Sequence, residues 1–127
     1  MKLRSFKLNF AERRARAVPA TDAAGAPFVE VPIDLVGEEG DAALSASEPL
    51  RAWFGERASA AGAAVRSISF DLPRGRALAT VRAPDDRVEA VRVDEHACPE
   101  LFDLARSLTP TLCNLALRVL ARRPTPG

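Results

Sequence analysis

The chain has 127 residues, 47% hydrophobic and 28% charged, with a formal net charge of +1. That length supports one domain with a sizeable core, and the balance excludes the low-hydrophobicity, high-charge regime of disorder. Apolar runs of only a few residues exclude a membrane-spanning helix, and two cysteines, Cys98 and Cys113, do not make a disulfide framework.

Residues 3–10 place Arg4, Phe6, Leu8 and Phe10 on one side of an extended segment and Ser5, Lys7 and Asn9 on the other, the pattern of a half-buried strand. Residues 11–27 contain two prolines, Gly25 and many small side chains, and read as a loop with room for a short helical turn over 11–17. The clearest strand covers residues 28–36, where Val29, Val31, Ile33 and Leu35 alternate with Glu30, Pro32 and Asp34. Pro32 has no N–H for a sheet ladder, which puts this strand at an edge, where another chain could add, or interrupts its pairing there. Residues 37–46 are acidic and small and lead into Ser47-Glu48-Pro49, a helix start with Ser47 as cap and proline in the first turn. Leu50, Trp53, Phe54, Ala58 and Ala61 then share one helical stripe, and Gly62 fits its end.

Residues 65–72 and 76–83 make a hairpin around Pro73-Arg74-Gly75. After a turn at 84–87, residues 88–93 form a further strand in which Val88 is out of phase with Val91 and Val93, the mark of a bulge or of a strand boundary that lies elsewhere. The last third is helical, with Leu101, Phe102, Leu104, Ala105 and Leu108 followed by Leu112, Leu115, Ala116, Val119 and Leu120. Thr109-Pro110 divides it into two helices or kinks one, because a mid-helix proline removes a hydrogen bond and collides with the preceding turn. Residues 124–127 are a tail. The expected architecture is a single α+β domain, an antiparallel sheet of about five strands in the order β-β-α-β-β-β-α-α, packed by helices.

Charge is unevenly distributed. Lys2, Arg4, Lys7, Arg13, Arg14 and Arg16 face only Glu12 at the start of the chain, whereas residues 17–62 are acidic except for Arg51 and Arg57. Neighbouring elements that neutralise one another account for this, and a patch that steers a partner is the alternative. Glu12, Arg13 and Arg14 also stand where a secretory leader would need its apolar stretch, which points to the cytoplasm. The excess of alanine and arginine reads as GC-rich, bacterial coding.

The most site-like segment is Asp94-Glu95-His96-Ala97-Cys98-Pro99-Glu100. It lacks the second histidine or CxxC pair that a zinc site needs, and its carboxylates oppose thiolate formation at Cys98. Both cysteines are expected in helical segments, Cys113 as packing. Arg74, Arg76, Arg82, Arg87 and Arg92 could meet phosphates, but interleaved acids and the absence of tyrosine argue against nucleic acid and for a solvated sheet face. No phosphate loop, GxSxG or HExxH is present, and one histidine leaves a thin acid–base inventory.

The reading that follows is a non-catalytic interaction domain, an adaptor or assembly subunit that binds another protein or itself and needs no metal or cofactor. Its contact residues would be Val29, Val31, Pro32 and Ile33 on the edge strand, or Leu112 and Leu117 on the C-terminal helix. The alternative is a small-molecule binder or unorthodox enzyme with a pocket between sheet and helices near Trp53, Phe54, His96 and Cys98.

Overall fold

The structure, a computed structural model, describes residues 2–20 and 29–122. In chain order the elements are β1 Leu3–Asn9, β2 Arg14–Pro19, β3 Val31–Asp34, α1 Gly37–Ala46, α2 Glu48–Glu56, β4 Ala64–Asp71, β5 Arg76–Arg82, β6 Val88–Asp94 and α3 Pro99–Arg122. The strands form one antiparallel sheet of six in the order β3-β2-β1-β4-β5-β6. The α+β class therefore stands, with one strand more than expected and β3 at an edge.

The additional strand is β2, within the stretch read as a loop. Its inward positions are Ala15 and Ala17, too small to announce a strand, with Arg14 and Arg16 between them. Pairing on both sides, to β1 and β3, overrides that weak local preference. A tight turn joins β1 to β2: Asn9 Oδ1 accepts the Glu12 N–H at 3.0 Å, and Arg13 takes a positive φ of 53°. Arg13 is held there by Leu35 O, 3.2 Å from its Nε, and by an ion pair with Asp41. Residues 21–27 of the expected loop, Phe28 of the expected strand and the tail 124–127 lie outside the described residues.

Each strand turns one set of alternate side chains inward. The inner rows run Val31–Ala17–Phe6–Phe70–Ala77–Val93 and Ile33–Ala15–Leu8–Ile68–Ala79–Val91 across the sheet. Phe70 is the hub: its ring stacks on Phe6 at 5.3 Å and meets Phe54 of α2 at 6.4 Å and Phe102 of α3 at 5.3 Å, both edge-on. Burying such a ring stabilises the fold by about 2 to 3 kcal/mol. These contacts put the helices on the inner face, with α3 against β2 and β3 and α2 against β4.

Other expectations change. Residues 37–46 are the helix α1 rather than a lead-in, and Gly40 packs so closely on Leu35 that a Cβ would sit 2.3 Å from its carbonyl carbon. Ser47 does not cap α2: its hydroxyl donates to Leu44 O at 2.6 Å, closing the end of α1. α2 stops at Glu56, so Ala58, Ala61 and Gly62 follow it in a turn. The hairpin turn has Gly75 at φ +61°, the conformation glycine adopts at no steric cost. β6 contains no bulge; its register with β5 is unbroken from Val88 to Asp94, and Val88 simply faces outward. The irregularities lie instead at Leu3/Ser5 and Val65/Ser67.

The C-terminal helix is one element, not two. Pro110 leaves the Arg106 carbonyl without its helical donor, and the Thr109 hydroxyl supplies one at 2.7 Å. Pro110 is itself exposed, so its ring costs no packing. Among the described residues, no helix is long and apolar enough to cross a membrane.

Candidate functional site

The helices cover one face of the sheet, and among the described residues no helix covers the other. Its middle row, read from the strand registers, is Pro32–Arg16–Lys7–Ser69–Leu78–Arg92, one residue from each strand. Three cations stand in that row with no carboxylate among them. The row on one side is Val18–Ser5–Asp71–Arg76–Asp94, in which Arg76 is flanked by two acids. On the other side, Asp34–Arg14–Asn9–Ser67–Thr80 balances Arg14 against Asp34 at 3.5 Å.

Two shallow depressions lie on this face. A depression of about 680 Å³ is lined by the cations Lys7, Arg16, Arg76 and Arg92, by Ser69, Val18 and Leu78, and by the acids Glu30, Asp71 and Asp94, of which Asp71 and Asp94 stand in the row beside the cations of the middle one. A second, of about 270 Å³, shares Lys7 and Arg16 and extends to Pro32 and Asp34.

The uneven charge of the sequence resolves here. Arg13, Arg14 and Arg16 pair with Asp41, Asp34 and Glu30 from the acidic stretch, Arg16 and Glu30 at 3.5 Å. Lys7 makes no such pair among the described residues, and neither do Arg76 and Arg92. The sequence had singled out Arg76 and Arg92; Lys7 and Arg16 joined them only when the register was known. The signal available was the alternation of Arg14 and Arg16 with Ala15 and Ala17.

The residues expected to contact a partner divide. Val31, Ile33 and Leu112 face the core and are buried, so they offer no side-chain surface, whereas Val29, Pro32 and Leu117 are exposed. The inward turn of Val31 and Ile33 follows from the alternation that marked the strand, and Leu112 lies on the inner stripe of α3. The residues of the alternative pocket do not gather into one. Trp53 packs edge-on against Phe54 at 5.0 Å beneath the Arg57 guanidinium at 3.7 Å, and Phe54 is buried against Phe70. His96 is exposed in the turn before α3. Cys98 precedes the helix instead of lying in it, and its thiol faces Glu100 at 4.0 Å. None of the four lines the outer-face depressions, nor those near Ser59, Cys113 or Arg13.

Cys113 is buried on α3, and burial pushes its thiol pKa up, which keeps it protonated and a poor nucleophile. Glu95 accepts from Arg106 at 3.0 Å, which holds its carboxyl below the ordinary value and ties the turn before α3 to the helix. Glu89 on β6 accepts both the Ser59 N–H at 2.6 Å and the Ser59 hydroxyl at 2.8 Å, with the same direction of shift. Both are structural ties. Among the described residues, no group of three or more His, Cys, Asp or Glu is placed to hold a metal ion. No family model matches the chain, and neither a curated protein nor a solved structure matches it.

Proposed function

We propose that this chain is a non-catalytic interaction domain, an adaptor or assembly subunit, that binds another protein through the open outer face of its sheet. The observation that carries the reading is the row of Arg16, Lys7 and Arg92 on a sheet face that, among the described residues, no helix covers. A sheet face kept only for solvent gains nothing from setting Lys7 directly opposite Arg16, since facing like charges destabilise a strand pair. Exposed Pro32 lies at the β3 end of the same row, opposite Arg16, and extends the surface to the sheet edge.

The test is a paired capture. The full chain and a triple variant, Lys7→Glu, Arg76→Glu and Arg92→Glu, are immobilised and exposed to lysate, and retained proteins are compared by mass spectrometry. Matching circular dichroism establishes that the variant is folded. The proposal expects a discrete set retained by the native chain and lost by the variant. Identical sets, or nothing above blank beads, would overturn it. Light scattering over a range of concentration shows whether the partner is a second copy.

A further inference from the structure

We infer that the outer face receives an extended acidic segment of a partner protein, laid across the strands from β2 to β6. This deepens the reading above and rests on it. Neighbouring strands are about 4.8 Å apart, so Lys7 and Arg16 stand side by side and Arg92 lies about 14 Å from Lys7, three strands away in the same row. An extended chain advances about 3.3 Å per residue, so two acidic side chains about four residues apart span that gap. Even spacing also sets both on one side of the segment. Between the two cationic ends the floor offers the Ser69 hydroxyl and the apolar Leu78, suited to an uncharged or apolar residue in the middle of the ligand.

The same charges decide against a polyphosphate chain. Glu30, Asp71 and Asp94 border the depression and repel a uniformly anionic polymer. No outward position on any of the six strands is aromatic, so bases would find no stacking platform. A peptide with separated carboxylates meets the cations while its neutral or basic flanks meet the acidic margin.

The probe is a fluorescent peptide with two glutamate pairs separated by serine and leucine so that the pairs lie about four residues apart, followed by anisotropy at low salt. Binding that weakens with added salt and falls about tenfold in Arg92→Glu or Lys7→Glu is expected, the loss of one charge-assisted contact. A lysine counterpart of the peptide should bind the Lys7→Glu/Arg92→Glu double variant. Should a reversal fail to fold, Arg92→Ala keeps the test, with a smaller loss. Equal binding by native and variant chains, or by an oligothymidine of the same charge, would overturn the assignment. If the peptide does not bind while capture from lysate still depends on the outer face, the acidic ligand is wrong and the interaction reading survives; if both fail, both are wrong.

Discussion

Replacing Gly40 by alanine separates helix propensity from tertiary packing, because the two predict opposite signs. In an exposed helix interior the substitution stabilises by about 1 kcal/mol. Gly40 is buried in α1, and its new Cβ would lie 2.3 Å from the Leu35 carbonyl carbon and 2.8 Å from Leu35 Cα and O. Carbon atoms in contact prefer about 3.5 Å or more, so α1 must retreat by about 1 Å from a backbone that cannot swing aside. That retreat loosens Ala43 and Leu35, both buried, and pulls on the Arg118–Glu39 and Arg13–Asp41 pairs. Overpacking costs about 1 to 3 kcal/mol, and a clash with backbone atoms this close falls in the upper part of that range, about 2 to 3 kcal/mol. With the propensity gain of about 1 kcal/mol subtracted, the expected net loss is about 1 to 2 kcal/mol. For a chain of this length that lowers Tm by roughly 4 to 7 °C. Urea denaturation and calorimetry measure it, and a Gly40→Ala protein as stable as the native one would refute the close approach of α1 to Leu35.

Lys7→Glu removes a like-charge pair opposite Arg16 and should stabilise the fold by up to about 1 kcal/mol at low salt, less at high salt, while weakening binding at the outer face about tenfold. Denaturant midpoints at two salt concentrations check the first half, and no gain at low salt would contradict it. Pro110→Ala restores a helical donor to Arg106 O and should raise Tm, whereas Thr109→Val in the native background orphans that carbonyl and should cost about 1 kcal/mol. The acid limb of stability depends on Glu89 and Glu95, whose pKa values are held below the ordinary 4.5, chiefly by hydrogen bonds from Ser59 and Arg106 respectively. Unfolding releases them to that value, so the unfolded chain binds more protons in acid. Their contribution is complete above about pH 4.5 and is lost as pH falls through the lowered folded values. Glu95→Gln should therefore flatten the decline of stability in acid without moving its neutral-pH shape, as followed by thermal melts from pH 6 downward.

Much of the fold was legible because period-two and period-3.6 patterns report directly which side chains leave water. Strands β1, β3 and β4 and the stripe of α3 carry large apolar residues at those periods. β5 was legible chiefly from the hairpin turn at Pro73-Arg74-Gly75 that precedes it, and Pro32 pointed to an edge or an interrupted pairing through its missing N–H. β2 and α1 were not legible. Their inward residues are Ala15, Ala17, Gly40 and Ala43, chosen for how closely a neighbour approaches, and hydrophobic patterning is blind to that. Pro110 misled for the opposite reason: a strong local rule was offset by one hydroxyl, Thr109, which no periodicity shows.

By itself the sequence determined the α+β class, the inward faces of most strands and the lack of the familiar catalytic motifs, since each depends on local periodicity or residue type. Only the tertiary structure decided which charges share a surface. Lys7, Arg16 and Arg92 lie far apart along the chain and become one row through strand register, because hydrogen bonding between strands, not sequence spacing, sets which side chains stand next to one another.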